Sequence, residues 1–197
     1  MRTRSSIAAA VAFSLSAMLT LWLLPGRSGP DLPTHSGEIS LLSHTGAVVT
    51  KDRVLGHPYV LHFGYTHCPD ICPTVLAKLS LALHIMGPDA SKMSVFFVTV
   101  DPERDRPSDI ARYVEAFHSS IVGLWAPRMT MQAFIRSFGA HTKRTVLSDG
   151  SSTIEHTTDL IFVDAQGKVV AKLDPFRLSD AYELTERLLD LVGAEQG

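Results

Sequence analysis

Cysteine is scarce in this sequence of 197 residues, which contains only Cys68 and Cys72. A single pair, four positions apart, cannot form a framework of several disulfides. One bridge over so short a span would remove little chain entropy from the unfolded state. Structural cross-linking therefore explains this pair poorly, and the spacing favours chemistry that uses two neighbouring thiols.

The sequence also lacks an excess of either positive or negative charge. The chain has 18 Lys and Arg residues against 20 Asp and Glu residues, a formal net charge of −2, and its basic residues are scattered. A nucleic-acid binder normally shows a clustered basic surface, so we expect no nucleic-acid partner. The 45% of apolar residues is enough for the core of one ordinary domain with an appendage.

Charged residues are missing altogether from residues 6–25, SIAAAVAFSLSAMLTLWLLP. A helix of about 20 residues spans roughly 30 Å, the thickness of the hydrocarbon core of a bilayer. A cleaved signal usually has a shorter apolar stretch followed by an A-x-A-like site, and no good site precedes the end of this one. We predict an uncleaved transmembrane anchor. A cleaved signal is the alternative, because the first half is only weakly apolar.

Basic residues beside this segment predict its orientation. Arg2 and Arg4 precede it, whereas Arg27 alone follows closely, which places residues 1–5 in the cytoplasm and the rest of the chain outside. No basic, Ser-rich transit peptide precedes the anchor, so the sequence favours a bacterial inner membrane over a mitochondrial one. We therefore predict a single-pass protein whose C-terminal domain lies in the periplasm.

The remaining chain predicts a linker at residues 26–37, rich in Pro, Gly and Ser, and one domain at residues 38–197. Within the domain, apolar runs and helical periodicities alternate. They predict a hairpin at 38–50, strands at 59–66, 93–101, 159–164 and 169–173, a short apolar stretch at 121–125, and helices at 73–86, 108–118, 129–138 and 179–192. This alternation is typical of an α/β domain with a central mixed sheet and helices on both faces.

The two cysteines lie in FGYTHCPDICP, between a buried strand and a helix predicted to begin at Pro73. Residues four apart on a helix share a face, so both sulfurs can bind one ion, and the same spacing can also form a disulfide. The positive end of the helix predicts a lowered pKa for both thiols. Two ordinary buried cysteines are disfavoured, because Pro69 and Pro73 fix the backbone beside each sulfur.

Two thiolates are soft donors that favour copper(I) or zinc, and an added imidazole also suits copper(II). Zinc fits less well, because a structural zinc site needs four protein ligands. His62 and His67 have the spacing of a second zinc clamp but lie right beside the first cysteine. We interpret His62 as a satisfied core residue and His67 as an exposed residue or a neighbour of the metal. The strongest candidate for a third ligand is His156, in a loop just ahead of a predicted buried strand.

Three features together resemble the SCO/SenC family of copper chaperones: FGYTHCPDICP at residues 63–73, VTVDPERDRP at residues 98–107, and His156 before an apolar strand. The match covers about residues 38–193. The resemblance implies a thioredoxin-like fold with an extra N-terminal β-hairpin and copper, as Cu(I) or Cu(II), bound by Cys68, Cys72 and His156. It also implies that Asp101 lies near the metal without binding it and that Asp70 shapes the cysteine loop; for both, the alternative is a turn or cap carboxylate.

Members of this family are assembly factors for cytochrome c oxidase. The resemblance therefore implies a metallochaperone that delivers copper to the dinuclear site of oxidase subunit II, or to another copper acceptor. A thiol-disulfide reductase that keeps the cysteines of that site reduced is the alternative. Residues 154–158 lack the proline that thioredoxin enzymes place before the strand facing their thiols, which favours metal handling. A thiol peroxidase is disfavoured, because Thr66 stands two rather than three positions before Cys68.

Overall fold

The computed structural model describes residues 40–148, 150 and 152–194. The predicted anchor at residues 6–25 and the predicted linker at residues 26–37 lie outside the described residues.

The described chain forms nine strands, five α-helices and one 3₁₀ segment. The strands are β1 (Leu41–Ser43), β2 (Val48–Val49), β3 (Tyr59–Gly64), β4 (Ser94–Thr99), β5 (Ile121–Trp125), β6 (Thr142–Val146), β7 (Ser152–His156), β8 (Leu160–Val163) and β9 (Val169–Leu173). The helices are α1 (Lys51–Val54), α2 (Ile71–Met86), α3 (Pro107–Glu115), α4 (Arg128–Ser137) and α5 (Ala181–Gly193), and the 3₁₀ segment Gly87–Lys92 follows α2. The predicted order of strands and helices is present, with α1, β6 and β7 as additions.

Seven strands form one mixed sheet in the order β2-β1-β5-β4-β3-β8-β9. Strands β3, β4 and β5 run parallel, whereas β1 is antiparallel to β5 and β8 is antiparallel to β3. Strand β3 lies between β4 and β8 and is buried along its whole length, as its continuous apolar run predicts. The prediction of an α/β fold with a central mixed sheet is confirmed, and the N-terminal hairpin adds β1 and β2 to one edge.

Helices cover both faces of this sheet. Side chains alternate along a strand, so neighbouring residues of β3 point to opposite faces. Val60 packs with residues of α2, α3 and α5 on one face. Leu61 packs with residues of α4 and with Ile154 of β7 on the other. The predicted arrangement of helices is therefore confirmed.

Helix α2 with its 3₁₀ continuation, Ile71–Lys92, is long and apolar enough to cross a membrane by length and composition. It is also the helix that carries Cys72, and its apolar side is buried in the core with α5 through Val75, Leu76, Leu79 and Leu83. The core of the domain thus accounts for its apolar character. The membrane anchor at residues 6–25 stays a prediction.

Helix α2 begins at Ile71, two residues before the predicted start at Pro73. Proline is tolerated at this third helical position, because the first four N–H groups of a helix have no acceptor within it. This earlier helix start changes the location of one cysteine. Cys72 lies inside the first turn of the helix, whereas Cys68 lies in the loop before it.

The hairpin of β6 and β7 forms a second, two-stranded sheet that the sequence did not predict. The strands are antiparallel, and Thr142 lies opposite His156. Strand β6 is polar and largely exposed, and β7 buries only Ile154 and His156, so neither strand has the apolar run that marks the buried strands of the main sheet. The prediction that His156 lies in a loop is therefore wrong, since it is the last residue of β7.

Candidate metal centre

Three side chains from separate parts of the fold meet at one end of β3. Cys68 comes from the loop after β3, Cys72 from the first turn of α2 and His156 from the end of β7. One ligand atom from each residue lies within 4.8 Å of the others, and Cys72 Sγ is 3.7 Å from His156 Nε2. The structure thus brings together the residues proposed as ligands, although 84 positions separate Cys72 from His156.

The ring of His156 is oriented by its own neighbours. Its Nδ1 lies 2.9 Å from the backbone oxygen of Thr157. A carbonyl oxygen only accepts, so Nδ1 carries the hydrogen and Nε2 of the neutral ring keeps a lone pair. That lone pair faces Cys72. The ring of Tyr65 packs edge-on at 5.9 Å between centroids, and only 9% of His156 is exposed. The ring is thereby prepared as a ligand before any metal arrives.

The two cysteines are free thiols with different exposure. Cys72 is fully buried, whereas Cys68 is half-buried and so keeps some contact with solvent. The backbone N–H of Cys72 points at Cys68 Sγ, 3.4 Å away. This is one of the N–H groups that the start of a helix leaves unpaired. The cluster is therefore closed on the side of Cys72 and His156 and open at Cys68.

Burial raises the pKa of the Cys72 thiol well above its usual range. A hydrogen bond from the backbone of Tyr65 acts in the opposite direction but is the smaller effect. The prediction that the helix start lowers the pKa of both thiols is therefore wrong for Cys72, because loss of solvent outweighs the helix dipole at a fully buried sulfur. In the metal-free protein Cys72 is a neutral thiol, which must lose its proton to bind a metal.

The cysteine loop is held by Asp105, a residue that the sequence analysis did not single out. Its buried carboxylate accepts hydrogen bonds from the Thr66 backbone N–H at 3.0 Å, the Thr66 hydroxyl at 2.6 Å and the Thr99 hydroxyl at 2.7 Å. Asp70 is exposed, and within the described chain its side chain makes no capping hydrogen bond to α2. By these contacts Asp105, rather than Asp70, shapes the loop. Its position as the second aspartate of the D-P-E-R-D stretch, residues 101–105, was the signal available in the sequence.

Asp101 reaches the cluster through other residues. Its fully buried carboxylate pairs with the guanidinium groups of Arg104 and Arg144. Arg144 belongs to β6, so the pair ties the turn after β4 to the hairpin that ends in His156. The Cζ atom of Arg104 lies over the Tyr65 ring, 5.9 Å from its centroid. These contacts position the hairpin and Tyr65, and through them His156.

His62 lies in the core near the cluster without joining it. Its ring is completely buried beside Phe97, with 6.2 Å between the centroids. Burial lowers the pKa of His62 to about 3, and nearby His156 adds to this effect, so the ring is neutral. Neither ring nitrogen has a hydrogen-bond partner among the described residues. The interpretation as a core residue is confirmed, but its hydrogen bonding is not satisfied.

The sheet order, the cysteine pair at the start of α2 and the distal imidazole define a class of protein: a thioredoxin-like domain with a centre of soft metal ligands. The chain belongs to the SCO1/SenC family, whose family model matches residues 28–193. The resemblance noted in the sequence is thereby confirmed.

Individual relatives agree with this assignment. The chain is 42% identical over 134 residues to the mitochondrial protein SCO2 homolog of Danio rerio. The match covers 66% of this chain and 48% of the relative, so the chain spans about half the length of that relative. The structure of Bradyrhizobium japonicum ScoI with copper bound matches with a TM-score of 0.74 and 33% identity, over 80% of this chain and 99% of that one. Copper-bound Arabidopsis thaliana ScoI matches with a TM-score of 0.72 and 28% identity, over 80% and 98%. The thioredoxin-like fold is therefore confirmed.

Proposed function

We propose that this protein is a copper chaperone that binds one copper ion, as Cu(I) or Cu(II), through Cys68, Cys72 and His156. The observation that carries the proposal is the approach of their ligand atoms to within 4.8 Å of one another. Two further features support it: His156 turns an unprotonated nitrogen toward Cys72, and two relatives have been solved with copper bound.

The donor set favours copper over zinc. A structural zinc site is usually closed by four protein ligands, whereas the described residues bring three His or Cys donors together here. Two sulfurs and one imidazole suit copper(I), and imidazole also suits copper(II). An incomplete shell that opens at half-buried Cys68 leaves a position at which an incoming ligand can attack. Such a site is suited to passing a metal on as well as to holding it.

We further propose that the acceptor is the dinuclear copper site of cytochrome c oxidase subunit II or another copper-binding protein. Membership of the SCO1/SenC family supports this proposal. The uncharged segment at residues 6–25 supports a membrane-anchored protein whose domain faces the bacterial periplasm, with a mitochondrial inner membrane as the less favoured setting. The near-neutral charge and the scattered basic residues give no support for a nucleic-acid partner.

A second candidate, a thiol-disulfide reductase for the oxidase cysteines, is supported by the unequal exposure of the two thiols. Cys68 can reach an acceptor disulfide, and Cys72 lies behind it as the resolving thiol. The thiolate of Cys68 would attack one sulfur of the acceptor disulfide, form a mixed disulfide with it and release the other acceptor sulfur as a thiol. Cys72, after losing its proton, would then attack Cys68 Sγ, form the Cys68–Cys72 disulfide and release the first acceptor sulfur as a second thiol. Two electrons pass to the acceptor. The raised pKa of Cys72 would slow the second step.

Copper(II) addition to the purified, reduced protein tests the ligand set. We expect an intense thiolate-to-copper absorption that His156→Ala removes and that His118→Ala, at a histidine outside the cluster, leaves in place. Retention of the absorption in His156→Ala would mean that the ligand set is wrong. The same variant separates the two functions, because it should abolish copper transfer and spare disulfide reduction.

A further inference from the structure

His67 precedes Cys68 in the cysteine loop and is an exposed residue. Its side chain is 59% exposed, and Nδ1 lies 3.5 Å from Asp105 Oδ1. The same nitrogen is 3.0 Å from the hydroxyl of Thr66. His67 is therefore exposed, as predicted, but its ring is held by two polar contacts on one side.

These contacts fix which nitrogen of His67 carries the hydrogen. The hydroxyl of Thr66 donates its only hydrogen to Asp105 Oδ1 at 2.6 Å. Toward His67 that hydroxyl can only accept, so Nδ1 of the ring must be the donor. In the neutral ring Nε2 then keeps its lone pair. No described residue forms a hydrogen bond with Nε2, which points away from the Thr66 and Asp105 contacts.

The two histidines of this site share one arrangement. His156 donates its Nδ1–H to a backbone oxygen and presents Nε2 to Cys72. His67 donates its Nδ1–H to the Thr66 hydroxyl beside a buried carboxylate and presents Nε2 to solvent. Metal-binding histidines are typically held in this way, with the second ring nitrogen bonded to a carboxylate, carbonyl or water. His67 is thus prepared as a ligand on the outside, as His156 is on the inside.

We propose that His67 Nε2 and Cys68 Sγ form an outer transfer site for copper(I). The inference rests on the proposed copper-chaperone function and names the residue that receives the metal as it leaves the buried cluster. Cys68 belongs to both sites, because it is the half-buried member of the cluster and the residue next to His67. Copper can therefore move outward while one sulfur keeps hold of it.

The transfer is an exchange of ligands. Copper(I) keeps its bond to Cys68, gains one to His67 Nε2, and loses its bonds to Cys72 and His156. Cys72 takes up one proton from water. A deprotonated thiolate of the acceptor then binds the copper, and His67 and Cys68 release it. Copper remains copper(I) throughout, so the exchange needs no oxidant or reductant.

Removal of copper(I) by a coloured chelator, bicinchoninate, tests the outer site. The full-length protein in detergent is loaded with copper(I), mixed with the chelator and followed by stopped-flow absorbance, and equilibrium competition gives the affinity. His67→Ala should slow removal about tenfold, the change that one lost interaction in the transition state produces. Its equilibrium affinity should stay that of the wild type, because the buried ligands are intact.

Two variants make the test specific. His67→Met supplies a soft donor for copper(I) and should recover much of the rate. His118→Ala, at a histidine outside the cluster, should remove copper at the wild-type rate. A wild-type rate for His67→Ala, or an equal loss of rate and affinity, would overturn the outer site and leave the proposed function in place. If the wild-type protein bound no copper(I), the proposed function itself would fail.

Discussion

Asp105 and Asp70 both belong to the surroundings of the cysteine loop, but their side chains differ in hydrogen bonding. Asp105 accepts three hydrogen bonds from Thr66 and Thr99, whereas the side chain of Asp70 is exposed. In Asp105→Asn, an amide N–H would replace one acceptor oxygen. We expect the free energy of unfolding to fall by about 1–3 kcal/mol and copper affinity to fall about 10–100-fold.

Asp70→Asn is the matched control for this prediction. It makes the same carboxylate-to-amide change at an exposed residue two positions after Cys68, and we expect the free energy of unfolding to change by less than about 0.5 kcal/mol. Urea denaturation measures stability, and chelator competition measures copper affinity. Equal effects of the two substitutions would show that the loop does not depend on the Asp105 contacts.

His62 predicts how stability changes in acid. Its pKa is about 3 in the folded protein and close to 6.5 in an unfolded chain, so below pH 6.5 the unfolded state binds a proton that the folded state does not. The stability contributed by the neutral ring is present near pH 7 and is lost as the pH falls from about 6.5 toward 3. The loss is on the order of 1 kcal/mol per pH unit. His62→Leu should remove this loss.

Urea denaturation at pH 7 and pH 5 measures the effect of His62. Wild-type protein should lose more stability over this interval than His62→Leu, by on the order of 2 kcal/mol. His57→Leu, at an exposed histidine, should behave as the wild type does. An equal loss in wild type and His62→Leu would contradict the buried, neutral ring.

At the scale of elements, the end of β3 and the start of α2 approach closely at Gly64. A Cβ atom on Gly64 would lie 2.6 Å from Phe97 Cε2 and 2.9 Å from Cys72 Sγ. Gly64→Ala should therefore displace the Cys72 sulfur, destabilise the fold by about 1–3 kcal/mol and weaken copper binding.

Gly123→Ala controls for destabilisation alone. Its Cβ atom would lie 2.0 Å from Ile110 Cγ2, where β5 packs against α3. This variant should lose stability but keep wild-type copper affinity per folded molecule. The measurements are urea denaturation and chelator competition on both variants. If Gly64→Ala kept full affinity, the fit between β3 and the cysteine helix would not matter for the metal.

The elements that were predictable from the sequence are those whose own residues are buried. Strand β3 is an apolar run interrupted by His62, and it lies within the sheet between β4 and β8. The β6–β7 hairpin was missed, because its polar strands depend on a partner outside the hairpin. Arg144 pairs with Asp101 after β4, 43 positions away. Such a long-range contact cannot be predicted from the residues of the hairpin alone.

The candidate site was likewise only partly predictable from the sequence. The spacing of Cys68 and Cys72 predicts their convergence, and the family resemblance implied His156. The D-P-E-R-D stretch marked Asp105 as a candidate, but its role was not predictable, because it depends on where Thr66 and Thr99 lie in space. Nor was the pKa of Cys72, which follows from burial rather than from the helix start.

At the scale of the whole molecule, the uncharged segment at residues 6–25 predicts that the chain is attached to a membrane. Full-length protein should sediment with membranes, resist extraction with high salt and be released by detergent. A variant that lacks residues 6–25 should remain in the soluble fraction and keep its copper affinity, because the described site lies wholly beyond that segment. Release of the full-length protein by salt alone would contradict an anchor that spans the bilayer.

The central claim is that the fold brings the sulfurs of Cys68 and Cys72 close to an imidazole nitrogen of His156 on a distant hairpin. All three atoms then bind one copper ion. X-ray absorption of the copper(I)-loaded protein tests it most directly. We predict one copper ion per chain with two sulfur ligands and one imidazole nitrogen, and loss of the imidazole signal in His156→Ala. A spectrum with sulfur ligands alone, or one that His156→Ala leaves unchanged, would contradict the claim.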